Sequence, residues 1–430
     1  MLSINKCRRN FIVVSMACKI KNITVLFLIL ACHFVFSKTI SVSPDGLHKS
    51  IKKAIGIASP FDTILVSFGR YIEYDIQIDK PLYIIGIGHP VIDGDYKGEI
   101  VTIMADSVLF KGFQIQNVGF SFIKDWAGIK IDNKDYCTIE DNILLDSYFG
   151  IYLKKSNHIG VRNNVLKGKA KNEVNSGNGI HLWYCDDILI EKNQITGHRD
   201  GIYFEFVENS KIIENISENN IRYGLHFMFS NYDDYIGNTF KNNGTGVAVM
   251  FSDHIIMKNN HFIDNWGTSN YGLLFKEIYD GELSGNVFQN NTIAIFADGS
   301  NRIKIINNEF RSNGWAMNIF SNCMYNEIAY NNFIANTFDL TTNGTKNNND
   351  FHDNYWDQYA GYDLDKDGIG DVPYRPVRLF SYLIGKVPEA IILLRSFFID
   401  MINIAEKVAP VLTPQSLMDE RPRMKLNIYD

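Results

Sequence analysis

Proline is scarce, with 10 in 430 residues, and charged residues make up only 21% against 46% hydrophobic, which excludes a disordered chain. No apolar stretch is long enough to read as a comfortable transmembrane helix. Cysteine is sparse. Three of the six (Cys7, Cys18, Cys32) lie in the first 37 residues, and an odd set (Cys137, Cys185, Cys323) remains, which excludes a disulfide framework. These three are expected to be buried small hydrophobes. Basic charge is short as well. Residues 1–37 hold five basic residues and no acidic one, so the rest carries 37 Lys+Arg against 48 Asp+Glu, a formal charge of −11. That argues against nucleic acid, whose phosphates need a basic face, and suits cations.

What is present begins with an export signal. Ile23 to Phe36 is apolar, Lys19 and Lys21 precede it, and Ser37 offers a cleavage point. Ile29 to Cys32 loosely resembles a lipoprotein cleavage box, and Met16 offers a second start. Asparagine then recurs in register: Asn142, Asn164, Asn193, Asn215, Asn238, Asn260, Asn286, Asn308, Asn332 and Asn354, at steps of 22, 29, 22, 23, 22, 26, 22, 24 and 22. Such a period is a solenoid signature. Three residues before each Asn an apolar residue recurs, from Ile139 to Ala329. Two residues after it runs a second column from Leu144 to Trp356, broken only by Ser217. A glycine (Gly150, Gly179, Gly201, Gly224, Gly246, Gly272) then opens an alternating strand.

The predicted fold is all-β: a right-handed parallel β-helix with a short N-terminal cap and a C-terminal helical tail. The expected boundaries are a signal over 1–37, a cap and first strands over 38–90, the β-helix over 91–356, an acidic loop over 357–378 and a helical docking tail over 379–430. The steps of 29 and 26 place insertions at Lys167–Asn178 and Asp264–Tyr271.

Alternation after each glycine separates two faces. Two outward columns result: His181, Tyr203, His226, Ala248, and Trp183, Glu205, Met228, Met250. Coils stack ~4.8 Å apart and residues two along a strand lie ~6.6 Å apart. His226, Met228, Met250 and Glu205, with His181 in the same column, are therefore candidate copper ligands, since imidazole with thioether suits Cu(I). A partner-docking patch including Trp183 is the other reading. Met257 falls on the inward column and is expected in the core, while His198 flanks the columns in a bend.

Asp186-Asp187, Gly197-His198 and Arg302-Ile303-Lys304 resemble polygalacturonase motifs, in which paired carboxylates hydrolyse glycosides. The spacing is wrong: His198 falls half a coil past Asp187, and Arg302 about five coils, ~24 Å, along the axis. An exported carbohydrate-binding or carbohydrate-active β-helix nonetheless stays open as the alternative function.

Beyond Trp356, Asp363, Asp365, Asp367 and Asp371 alternate around Gly368 like the first part of an EF-hand loop, although Tyr374 stands where the twelfth-position Glu belongs. Structural calcium is one expectation and a self-capping turn the other. From Leu379 to Val408 the chain reads as amphipathic helices, with Leu383, Leu393, Leu394, Phe397 and Phe398 as docking candidates.

Several stretches resemble one family: Gly197–Val207 (GHRDGIYFEFV), Arg222–Ser230 (RYGLHFMFS), Gly246–Ser252 (GVAVMFS), Asn354–Pro376 (NYWDQYAGYDLDKDGIGDVPYRP), Leu379–Leu383 (LFSYL), Pro388–Ser396 (PEAIILLRS) and Pro410–Pro422 (PVLTPQSLMDERP). They are similar to the NosD family of nitrous oxide reductase maturation proteins. The resemblance implies a non-enzymatic periplasmic protein, held at the inner membrane by its partners. Those partners would be an ABC transporter permease and ATPase, a copper chaperone and the reductase, to which copper, sulfur or both are supplied.

Overall fold

The computed structural model describes residues 37–121, 123–174, 176–268, 270–344, 348–394, 396–408 and 417–428. The export signal expected over 1–37, with its three cysteines, falls outside them except for Ser37.

Each coil contributes three short strands, and every pairing between named strands is parallel. A broad face runs through Phe149–Lys154, Asp200–Glu208, Tyr223–Met228 and Thr245–Asp253. A second face holds Thr138–Glu140, Lys211–Ile213 and Asp234–Ile236. Strand Ile180–Glu191 spans both, so the two form one 25-stranded sheet. The third face is a 13-stranded sheet from Arg70–Ile72 to Tyr355–Trp356.

Stacking starts upstream of Val91. Thr39–Val42 pairs with Thr63–Val66, and that strand with Tyr83–Gly86. Between the first two lies helix α1, Ile51–Ile57, capped by Ser50 and by Glu73, whose carboxylate accepts from the Ile51 and Lys52 backbone N–H groups. It buries Ile51, Ala54 and Ile55.

The core is a set of columns. Ile139, Val161, Ile190, Ile212, Tyr235, Met257 and Leu283 are buried, as their spacing predicts. On the third face Phe262, Phe288, Phe310, Phe333 and Trp356 stack with ring centroids 4.5, 5.0, 4.9 and 4.0 Å apart. Ser217, the polar break, is satisfied by donating to the Gly224 carbonyl at 2.7 Å. Cys137, Cys185 and Cys323 are unpaired and buried.

The recurring asparagines form a buried ladder inside one bend. The Asn164 Oδ1 accepts both the backbone N–H and the side-chain amide of Asn142, at 3.0 and 3.1 Å. The Asn164 amide continues to Asn193 and also donates to the Ile139 carbonyl. One rung differs from the sequence frame. Asn331, not Asn332, joins Asn308 to Asn354, so Ile328 and Phe333 occupy the columns assigned to Ala329 and Ile334. The Asn331-Asn332 doublet permits either frame, and the Phe333 ring between Phe310 and Trp356 selects one.

Of the tail expected to be helical over 379–430, residues 409–416 lie outside the described residues, and 417–428 are not helical. Helices α2 (Leu379–Lys386) and α3 (Phe397–Val408), with a 3-10 turn between, bury Phe380, Ile384 and Ile399 against Phe338. Residues 417–428 are instead an end cap. Asp419 terminates the ladder, accepting from the Asn354 amide at 3.1 Å and the Trp356 indole at 2.9 Å. A buried carboxylate can close a row of donors that a further asparagine would otherwise continue.

Removing one rung orphans the donors of the coil before it. Asn238→Ala should cost about 2–3 kcal/mol in denaturant unfolding. Gln194→Ala, exposed on the third face, should change it by no more than about 0.5 kcal/mol.

Candidate functional site

The two outward columns are in register. His181 pairs with Tyr203, Tyr203 with His226 and His226 with Ala248. Beside them Trp183, Glu205, Met228, Met250 and Lys276 follow coil by coil. Strand pairing thus places the two thioethers on adjacent coils, with His226 two residues from Met228.

His226 is not open to solvent, as an outward position would suggest. It is 6% exposed, with the Tyr203 and Tyr223 rings 5.1 and 4.7 Å away. Neither ring nitrogen has a hydrogen-bond partner among the described residues. Burial holds its pKa down at about 4, with Asp200, Arg222 and Arg199 as smaller influences. The imidazole is therefore neutral and has lone-pair capacity to offer. An orphaned buried polar atom costs about 1–3 kcal/mol, which a bound cation can relieve. Imidazole and thioether are donor types that suit a soft monovalent copper ion, and strand pairing sets Met228 and Met250 on adjacent coils two residues along from His226 and Ala248.

His181 does not join the set. It lies two coils from His226, about 9.6 Å, with the Tyr203 ring between and its Nδ1 bonded to the Asn178 amide at 2.9 Å. Glu205 lies one coil before Met228, and one of its carboxylate oxygens accepts from the Tyr203 hydroxyl at 3.4 Å. Trp183 is half-buried, with the Lys154 and Lys155 ammonium groups over its ring. Cys185 is inert: burial pushes its thiol up to about 11.

Two features escaped the sequence reading. Asp200 is fully buried and takes a bidentate pair from Arg222, with Arg199 also near, which ties the start of strand Asp200–Glu208 to the next coil. The second is a ladder of rings at the corner that follows the thioether column. Tyr184, Phe206, Phe229 and Phe251 stack at 4.5, 5.2 and 5.2 Å, all with positive φ. The signal was legible as four doublets, Trp183-Tyr184, Glu205-Phe206, Met228-Phe229 and Met250-Phe251.

The acidic loop brings Asp363, Asp365 and Asp367 within 4.8 Å of one another. Asp363 already accepts from the Asp367 and Gly368 N–H groups, and Asp371 from Leu364. It is a self-capped turn whose carboxylates are also close enough to share one ion. Backbone bonds from Gly370 to Pro422 and from Met424 to Gly368 staple it to the end cap. The polygalacturonase-like residues stay apart. Asp187 pairs with His158, while Arg302 pairs with Asp280.

With this geometry in place, the comparisons show what the chain is similar to. The family model described as periplasmic copper-binding protein (NosD) matches residues 167–361, and that of the right-handed β-helix region matches 100–233. A relative from Pseudomonas aeruginosa, named probable ABC transporter binding protein NosD, is 28% identical over 377 residues, covering 83% of this chain and 87% of the relative. Its namesake from Stutzerimonas stutzeri is 26% identical over 408 residues, covering 82% and 85%. This chain is NosD-like. Solved structures share the fold alone. The Streptococcus pneumoniae surface adhesin PfbA has a TM-score of 0.53 at 12% identity, over 71% of this chain and 85% of that one. The Yersinia enterocolitica family 28 exopolygalacturonase has 0.52 at 8%, over 73% and 78%.

His181, His198 and His226 all have pKa values below the ordinary histidine value, chiefly through burial. An unfolded chain protonates them near ~6.5. Below that value it binds more protons than the folded chain, so stability is full above it and falls with pH toward about 4 for His198 and His226. Melting temperature measured from pH 7 to 4.5 should fall. His226→Gln should flatten that dependence relative to the parent.

Proposed function

We propose that this NosD-like chain is a non-catalytic periplasmic accessory protein for nitrous oxide reductase maturation, passing copper as cargo between a copper chaperone and the reductase, together with an ABC transporter. The observation that supports it best is His226, buried and neutral with both ring nitrogens unpartnered, beside Met228 and Met250 in register. Thioether and imidazole bind Cu(I) without a thiol, which would be at risk in an oxidising compartment. Few ligands make a weak site, as transfer requires, and a chaperone can complete the coordination sphere.

The test includes the chaperone. Met228→Leu with Met250→Leu keeps the apolar bulk and removes both sulfurs. Cu(I) passage and reductase copper content should fall about tenfold or more, the loss of at least one ligand's worth of affinity. Normal metallation by that variant would leave the column a docking surface only.

The tail serves as the contact with membrane partners in this reading. Among the described residues no helix is long and apolar enough to cross a membrane. Phe397 is 77% exposed, and Phe398, Leu383 and Leu393 are exposed beside it, with Leu394 half-buried. Because 417–428 caps the solenoid, point substitution is a cleaner test than truncation. Phe397→Glu with Phe398→Glu should leave the melting temperature within about 2 °C of the parent and abolish co-purification with the transporter. Retained co-purification would place docking elsewhere.

A further inference from the structure

The glycine column of the broad face ends in an acid. Strand register carries Gly224 to Gly246, Gly272, Ala294, Ala316 and then Asp339. Where another coil follows, the position stays small: a Cβ at Gly246 would lie 2.4 Å from the Gly272 carbonyl oxygen. Phe338–Thr341 is the last strand of this face among the described residues, so a carboxyl group fits there. Asp339 is nonetheless only 4% exposed. Its Oδ1 finds no hydrogen-bond partner among the described residues, and neither do the Thr342 and Tyr374 hydroxyls. A dry carboxyl group with an unbonded oxygen is costly when ionised and tolerable as the neutral acid.

The acid sits in the joint between solenoid and tail. One residue before it, the Phe338 ring meets Phe380 of helix α2 at 6.0 Å and shares a buried cluster with Ile384 and Ile399. Two residues after it, the Thr341 hydroxyl donates to the Ser381 carbonyl at 3.5 Å. The charged groups that face Asp339 are Asp357, from the turn after Trp356, and Arg378, the residue before helix α2. Asn336 and Tyr374 are its polar neighbours. Tyr374 is pinned by two backbone bonds with Asp419, both 2.9 Å, and burial keeps its hydroxyl protonated. Glu406 of helix α3 accepts from the Leu379 N–H at 3.0 Å and is a second carboxyl at the start of α2. Burial, with the Asp357 charge, outweighs Arg378 and holds Asp339 up at about 7.

We propose that Asp339 is a proton-controlled latch on the tail: as the neutral acid it lets helix α2 seat against the last coil, and on ionisation it drives α2 off, uncovering Phe380 and Ile384. Ionised in place, the carboxylate would lie in a dry joint facing Asp357, so it gains by reaching water. Helix α2 is held by apolar packing and the Thr341 hydroxyl rather than by strand pairing, and is the piece that can lift. With α2 open, the acid would titrate near ~3.9. The closed form binds the proton more tightly, and its advantage, full below that value, is lost as pH rises toward about 7. This sign is opposite to that of the buried histidines. The latch depends on the packing of α2 alone, neither on the copper column nor on what the tail docks against.

Hydrogen exchange of the full chain tests it, read by mass spectrometry on α2 peptides between pH 5 and 8 and corrected for the intrinsic pH dependence of exchange. Protection of α2 should fall at least about tenfold from pH 5 to 7 and then level off. Asp339→Asn cannot ionise, and Asp339→Ala places here the residue of the two preceding coils. Both should make α2 protection independent of pH, whereas Glu406→Gln should keep the parent's dependence. The proposal is overturned if α2 protection in the parent changes less than about threefold over this range. It is equally overturned if both neutral variants keep the parent's slope, if Glu406→Gln alone removes it, or if peptides from Thr245–Asp253 follow the same curve, which would mark global opening. Melting temperatures of the variants close to the parent's exclude misfolding as the cause of a flat profile.

Discussion

One interaction carries the rest: a side-chain amide that accepts two bonds from the coil before it and donates to the next. A tight bend leaves backbone N–H groups pointing inward, where water cannot reach them. Asparagine answers with an acceptor for the bend and a donor pair that repeats the request one coil on. The Asn142 to Asn354 row does this without a gap and closes on Asp419. Its consequence is register. A strand that slips by one residue turns its core side chains outward, and a ladder with one acceptor per coil forbids the slip. The alignment of Met228 with Met250, or of Tyr203 with His226, follows from that constraint.

The corners show what else the ladder sustains. Tyr184, Phe206, Phe229 and Phe251 adopt a left-handed conformation that bulky residues avoid, at about 1–2 kcal/mol each. Elsewhere at this corner Asn133, Lys155, Glu277 and Gly299 do the same work. Four successive aromatics are thus retained against their local preference. Stacking at 4.5 to 5.2 Å offsets part of the cost. They stand one residue along the chain from Trp183, Glu205, Met228 and Met250. The corner forms a wall along the candidate copper column, and it coincides with the coils that carry Met228 and Met250.

Periodicity made most of the solenoid legible, because a buried column repeats its chemistry every coil. Three things were not legible, each for a physical reason. The Asn331 frame was hidden because a doublet offers two equivalent amides, and only the ring stack of Phe333 discriminates. The cap by Asp419 was hidden because it joins residues 65 apart in sequence with no repeat to announce it. Alternation likewise marked His226 as outward but could not report that Tyr203 and Tyr223 cover it. Outward from the core is not the same as open to solvent when an aromatic layer lies above the sheet.

A solenoid so thoroughly satisfied makes its exceptions informative. Ser217 breaks an apolar column yet finds the Gly224 carbonyl, and Asp200 is buried yet takes two bonds from Arg222. Both ring nitrogens of His226 and the Nε2 of His198 have no such answer among the described residues. A leucine would remove the orphaned nitrogen at either position, and stability alone would favour that change. What leucine does not retain is a neutral ring nitrogen in a dry site, with protonation pushed down to about 4. Breaks in local consistency concentrate where a fold does something besides stand up. Two residues along the strand from His226, pairing aligns two thioethers on adjacent coils, a donor type that suits a soft cation.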